Sequence, residues 1–301
     1  MESGDYLVKV ISESGTLRAY ACVTTGVVNE AYSRINPSSL AGVMLGRAIS
    51  GIALLGGTVK GEERLSLKIE GGGPLKKIIA ESDAYGNIRG TIGNESVEFV
   101  EGVEIHQQIR EAIGKAGVLT VTKDLAMKEP YSGSVHLISG EIGEDIAFYL
   151  TESEQIPSAV AVAALPSNDG KGVDVAGGYL IQSIPSEGGV LATEDANIES
   201  VITMINSLPP LSKLLSLGNS PQNIIAKLFS EVPYKELEII PLNFSCSCSH
   251  NALRRAIKML GADDISEMVK EDGTVASCNF CKKEYQFSSG ELKAILAELK
   301  N

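Results

Sequence analysis

The chain of 301 residues carries 26 basic and 38 acidic side chains, a formal net charge of −12, with 44% hydrophobic and 21% charged residues. That balance argues against disorder throughout. A pI of about 4.9 argues against a duplex nucleic-acid binder, which needs a basic face against phosphate. Tryptophan is absent and aromatics make up 5%, poor material for a base-stacking surface.

The opening residues, MESGDYLVKVISESG, have no basic stretch followed by an apolar one. YLVKVIS (6–12) and LRAYACV (17–23) read as strands of a hairpin turning at Ser14-Gly15. After Pro37, Ser38 is an N-cap for an apolar helix that runs to about Leu55 and stops at Gly56-Gly57. RLSLKIE (64–70), LKKIIAES (75–82) and NIRGTI (87–92) follow as strands, separated by Gly71-Gly72-Gly73-Pro74 and Asp83-Ala84-Tyr85-Gly86. GVLTVTKDL (117–125) and SGSVHLIS (132–139) read as a further pair. In EIGEDIAFYLTESEQ (141–155), Ile142, Ile146, Ala147 and Leu150 recur at helical spacing behind acidic residues. SAVAVAAL (158–165) and GGYLIQSI (177–184) read as buried strands. No regular repeat and no βαβ alternation is visible, so the fold class is α+β.

Residues 185–240 change character. Ile198, Val201, Ile202 and Ile205 mark an amphipathic helix ended by Pro209-Pro210. LSKLLSLG (211–218) and a helix opened by Ser220-Pro221 follow. Helices this short are marginal alone and must dock on something. Two readings stand: part of the core of the first domain, or a conditionally ordered linker. From about residue 241 the charge is balanced, so the whole negative excess lies before it. The expected division is an α+β core domain (1–184), an amphipathic helical linker (185–240) and a C-terminal domain (241–301).

The C-terminal domain carries the chemistry. Cys246 and Cys248 form a Cys-X-Cys pair, and Cys278 and Cys281 a Cys-X2-Cys pair, using four of the five cysteines. The segment between them has room for helices at about 251–260 and 263–270. No span of ~20 apolar residues is present; Ala159 to Leu165 is the longest unbroken run, and Gly42–Gly57 is interrupted by Arg47. The default location is therefore cytoplasmic. In a reducing compartment, clustered cysteines point to a metal or to redox chemistry. Zinc wants four sulfur or nitrogen ligands in a tetrahedron, and two short-spaced pairs preorganise it. Four thiolates complete the set, so the site lacks the open coordination position of a catalytic zinc and a structural ion is expected. His250 is a weaker ligand candidate, expected at a helix start.

A static zinc module remains one reading. Against it, Cys-X-Cys is tighter than the usual spacer, and two adjacent pairs offer two local disulfides on oxidation. An extended Cys-X-Cys separates its Cα atoms by about 6.6–7 Å, at the edge of disulfide range, so oxidised and metallated forms should differ in backbone. A domain of about 60 residues is marginal alone, whereas structural zinc contributes about 10–16 kcal/mol in small peptides. Metal loss should unfold residues 241–301 and expose apolar surface.

This tail, with LTVTKDLAMKEPYSG (119–133), SGEIGEDIAFYLTESEQIPSA (139–159) and AGGYLIQ (176–182), resembles the redox-regulated 33-kilodalton heat-shock chaperone family over most of the chain. The resemblance implies an ATP-independent holdase of the stress response, not an enzyme. It would be inactive when reduced and zinc-bound, and active after oxidation with linker unfolding. It implies disulfides Cys246–Cys248 and Cys278–Cys281, unfolded client proteins as partners, and a homodimer on activation. No nucleic-acid or membrane partner is expected. A thiol oxidoreductase using Cys278 and Cys281 is the enzymatic alternative.

Other candidates carry less. Gly71-Gly72-Gly73 precedes Pro74 and a strand, which favours a tight turn over a phosphate loop. Cys22 is expected as a buried inert thiol. His106 and His136 have no partner at the spacing of a catalytic triad.

Overall fold

A computed structural model describes residues 4–114, 116–125, 129–184 and 196–299. The chain divides into two compact units, residues 1–245 and 246–301. Residues 126–128, within the LTVTKDLAMKEPYSG stretch, and 185–195, the start of the expected linker, lie outside the described residues.

In the first unit, β1 (Tyr6–Ser12) and β2 (Leu17–Val23) form the expected antiparallel hairpin. Successive side chains of a strand point to opposite faces. Leu7, Tyr20 and Cys22 accordingly enter one core, and Val8, Val10, Ala19 and Ala21 another. The hairpin is buried on both faces. α1 (Thr25–Ile35), which the sequence reading passed over, follows, with Val27, Val28, Ala31 and Ile35 buried and the Asp5 carboxylate accepting from Val27 N–H at 2.6 Å. α2 (Ser39–Gly56) starts after Ser38 and ends at Gly57, as expected. By length and composition it could cross a membrane, but 89% of it is buried inside this unit, where it packs against both sheets.

β3 (Arg64–Gly71), β4 (Lys77–Asp83) and β5 (Asn87–Ile92) form a meander. α3 (Ile105–Ile113), β6 (Gly117–Asp124), β7 (Tyr131–His136) and α4 (Gly143–Glu152) follow. Then come β8 (Ser158–Pro166), β9 (Val173–Ser183), α5 (Ala196–Ser207), α6 (Leu211–Ser216), α7 (Pro221–Leu228), β10 (Tyr234–Pro241) and β11 (Asn243–Phe244). The larger sheet runs β11-β5-β4-β3-β6-β7 and the smaller β10-β1-β2-β9-β8. All pairings are antiparallel except β11 with β5. This is the expected α+β class.

Two local expectations change, and a third, the tight glycine turn, gains its cause. SAVAVAAL was expected as a buried strand, but β8 ends its sheet, and Ala159 to Ala161 are half-buried for lack of a neighbour on one side. The segment expected as a helical linker contains β10, whose YKELEIIP pairs with β1 through a register shift at Lys9/Val10. The glycine loop serves a helix end: Gly73 N–H donates to Ile113 O at 2.8 Å and Leu75 N–H to Ala112 O at 3.0 Å. A Cβ at Gly71 would stand 2.1 Å from the Ile113 oxygen, so glycine is required by close backbone approach, not by a phosphate.

The SGEIGED stretch has a structural explanation. Asp145, fully buried, accepts from Ile138 N–H at 2.8 Å, Ser139 N–H at 3.1 Å and Ile142 N–H at 3.2 Å. These bonds hold Ile142 at φ +60° and ψ −52°, a strained γ-turn closed by Gly143 N–H donating to Glu141 O at 2.7 Å, which a β-branched residue rarely adopts. Asp145→Ala leaves these donors without their acceptor and should cost about 3–5 kcal/mol. Urea unfolding of the first unit measures it; an unchanged midpoint would show that the carboxylate does not hold this turn.

α5, α6 and α7 pack on the smaller sheet, over the face opposite α2. Val201, Leu211, Leu215, Ile224, Ile225 and Leu228 bury against Val8, Val10, Ala19, Ala21 and Ile181. The support for these short helices is therefore the first unit's own sheet.

The second unit contains α8 (His250–Lys258), α9 (Ala262–Lys270), β12 (Gly273–Ser277), β13 (Glu284–Ser288) and α10 (Ser289–Leu299). The two helices fall close to their expected places. Its buried apolar cluster consists of Ile257, Ile265, Phe287, Leu292 and Ile295, flanked by half-buried side chains. So small a core is marginal without another stabilising element.

Candidate metal centre

Two arms build the centre. The first is the extended chain after β11, carrying Cys246 and Cys248. It is pinned where Ser249 caps α8, its Oγ accepting from Ala252 N–H at 3.2 Å. The second is the turn joining β12 to β13, Cys278-Asn279-Phe280-Cys281. Cys278 N–H donates to Lys283 O at 3.0 Å and Lys282 N–H to Cys278 O at 2.8 Å. Lys282 takes a positive φ of 58°, which completes the turn.

The four sulfurs lie within 4.8 Å of one another. Cys246 Sγ is 3.6 Å from Cys278 Sγ, and Cys248 Sγ is 3.4 Å from Cys281 Sγ. A zinc tetrahedron with ~2.3 Å bonds would place its sulfurs about 3.8 Å apart. The set fits such an ion in size and in chemistry. Among the described residues this is the one group of three or more His, Cys, Asp or Glu side chains so arranged.

The electrostatics point the same way. Burial acts to raise the Cys248 thiol, yet hydrogen bonds from Tyr285 and the neighbouring thiols bring it down to about 7. Burial, with the neighbouring thiols, pushes Cys281 up to about 12 against a backbone hydrogen bond to Lys283. Cys248 is therefore set to ionise well before Cys281, and a dication among the sulfurs would favour their anionic form.

The other sequence candidates stay outside the cluster. His250 begins α8 and stacks on Phe287 at 4.2 Å between centroids, its Nε2 3.2 Å from the Gln286 carbonyl. Cys22 is fully buried, and burial raises its thiol far above the ordinary range. His106 pairs with Glu141 at 3.1 Å beside an apolar cleft, and His136 ends the exposed strand β7. The sequence reading missed Tyr285, whose hydroxyl contacts Cys248. Its signal was the alternation in KEYQFSS, which sets Tyr285 and Phe287 on one face of a strand following Cys281.

A two-sheet α+β unit followed by a small unit closing on four cysteines fits the heat-shock chaperone family that the sequence resembles, and comparison with known proteins names the same class. The family model described as Hsp33 protein matches residues 5–288. The chain belongs to the Hsp33 family. It is 43% identical to the 33 kDa chaperonin of Syntrophotalea carbinolica over 294 residues, 97% of this chain and 99% of that one. It is 40% identical to the 33 kDa chaperonin of Bacillus licheniformis over 296 residues, 98% and 100% of the two chains. The crystal structure of the 33 kDa chaperonin from Thermotoga maritima superposes with a TM-score of 0.87 at 32% identity, covering 99% of both chains. Membership supports a chaperone function, and the relatives are named chaperonins rather than enzymes.

Proposed function

We propose that this chain is a redox-regulated, ATP-independent holdase that prevents aggregation of unfolding proteins under oxidative stress. Cys246, Cys248, Cys278 and Cys281 bind one zinc ion as thiolates in the reduced, inactive form. Oxidation joins Cys246 to Cys248 and Cys278 to Cys281, each bond forming as two thiolates give two electrons to a peroxide. Zinc leaves, residues 241–301 unfold, and the linker 185–240 releases the sheet beneath it. The active species is a cytoplasmic homodimer, its partners are unfolded clients, and no step is catalytic.

The carrying observation is the four-sulfur cluster. Its four sulfurs all lie within 4.8 Å of one another, with Cys246 3.6 Å from Cys278 and Cys248 3.4 Å from Cys281 across the two arms. A disulfide needs its sulfurs at about 2.05 Å. Closing both local bonds takes the sulfurs out of their places in the tetrad and leaves no thiolate for the ion, which couples oxidation to loss of the metal and of the fold it supports. The apolar sheet face under α5 to α7 supports the second half of the reading, because it is surface that unfolding of the linker would bare.

The test compares zinc-loaded reduced chain with chain treated with peroxide at elevated temperature. Light scattering follows aggregation of a denatured client, alongside zinc release and free-thiol count. Suppression only after oxidation, with one zinc released and four thiols lost per chain, is expected. Equal suppression by both forms removes the switch. No gain of apolar dye binding on oxidation favours a static zinc module, and turnover of a thiol substrate favours an oxidoreductase.

A further inference from the structure

Tyr285 lies on β13, and its hydroxyl oxygen stands 3.3 Å from Cys248 Sγ and 3.1 Å from the Cys248 carbonyl oxygen. A metal-bound thiolate and a carbonyl have no proton to give, so the single phenol proton is shared between them as a three-centre bond. Its placement is organised. The ring meets His250 edge-on at 6.3 Å and has the Lys283 ammonium 5.3 Å from its centroid. His250 is in turn fixed by stacking on Phe287.

We propose that Tyr285 is a positioning residue of the redox switch, whose hydroxyl holds the Cys248 sulfur in its donor place and protects it from oxidant while the metal is bound. The inference rests on the zinc-switch reading above. Attack on a peroxide uses a sulfur lone pair: the S–O bond forms, the O–O bond breaks, and hydroxide leaves with the electron pair. The sulfur, oxidised by two electrons, is then a sulfenic acid, and the hydroxide takes a proton from solvent. A neighbouring thiolate then displaces hydroxide from it and closes the disulfide. Donation from Tyr285 occupies electron density that the first step needs. It also spreads the negative charge of a four-thiolate site, as partners beyond the ligands do elsewhere.

The experiment uses the full zinc-loaded chain and Tyr285→Phe, which keeps the ring and removes only the hydroxyl. Under limiting peroxide with a sulfenic-acid trap, labelling of Cys248 should rise about 10-fold in the variant, while labelling of Cys278 and Cys281 stays unchanged. With cobalt in place of zinc, the sulfur-to-metal charge-transfer band should move to lower energy, because an unbonded thiolate gives up charge more easily. Equal Cys248 labelling with an unmoved band overturns the proposal. A uniform rise at all four cysteines also overturns it, since that reports a loosened hairpin and not a lost donor. A parent chain that holds no zinc overturns the functional reading, and this inference with it. A parent that holds zinc, releases it to peroxide and matches the variant sinks this inference alone.

Discussion

Cys278→Ser is expected to leave residues 246–301 without a stable fold at neutral pH, while the first unit melts as in the parent. Cys278 is almost fully buried and sits at the start of the turn that closes β12 on β13. A serine hydroxyl does not ionise near neutrality, so one of four anionic ligands is lost from the centre. Structural zinc contributes about 10–16 kcal/mol in small peptides, while a whole domain is stable by about 5–15 kcal/mol. Among the described residues the unit's own core is five buried apolar side chains, too few to replace a large fraction of that sum. Amide hydrogen exchange should show protection lost across α8 to α10 and retained in β1 to β9, with zinc content falling well below one per chain. A variant that is metal-free yet keeps protected amides in α9 and α10 would show that apolar packing, not the ion, holds this unit.

The second large effect is at the linker. Ile225→Asp should yield a chain that suppresses client aggregation without any oxidant, with its zinc still bound. Ile225 is fully buried on α7, within the cluster that includes Val8, Val10, Ala19 and Ala21. Losing its side chain from the core costs about 2–5 kcal/mol, and a carboxylate there must also lose its water. α6 and α7 span only six and eight residues. Helices of that length have no independent stability to set against such a loss. They should detach from the sheet and expose its apolar face. Apolar dye binding and light scattering before peroxide are the measurements, with zinc stoichiometry as control. Dye binding that rises with no gain in suppression would show that the bared face is not where clients are held. Suppression that still waits for peroxide would place the brake elsewhere than on α7.

The two effects separate the proposed switch into parts. The first removes the ion and asks what it holds. The second removes the cover and leaves the ion in place. Because α5 to α7 dock on the sheet of the first unit, loss of the metal does not by itself remove their apolar support. Elevated temperature together with oxidation is therefore the expected condition for release.

Local signals were legible wherever a short-range rule dominates. The β1–β2 hairpin, the start of α2 behind Ser38, its stop at Gly57 and the helices between the cysteine pairs follow from alternation, capping and glycine chemistry. The four ligand candidates were legible because pairs at two and three residues' separation have few other uses in a reducing setting. α1 and β10 were not. YKELEIIP carries mixed charge on a strand exposed along most of its length, so its pattern resembles a polar loop until β1 is set beside it. The triple glycine gave a turn but not its cause, since the carbonyls it accommodates belong to α3, some forty residues later.

Sequence by itself thus determined the α+β class, the short-range elements and the identity of the four sulfurs, because each rests on neighbours within a turn or a pleat. Tertiary structure alone decided which sulfurs face which, that Tyr285 reaches Cys248, and that the linker helices cover the sheet of β1 and β2. Those are distances between segments far apart in the chain. Only the closing of the chain on itself sets them.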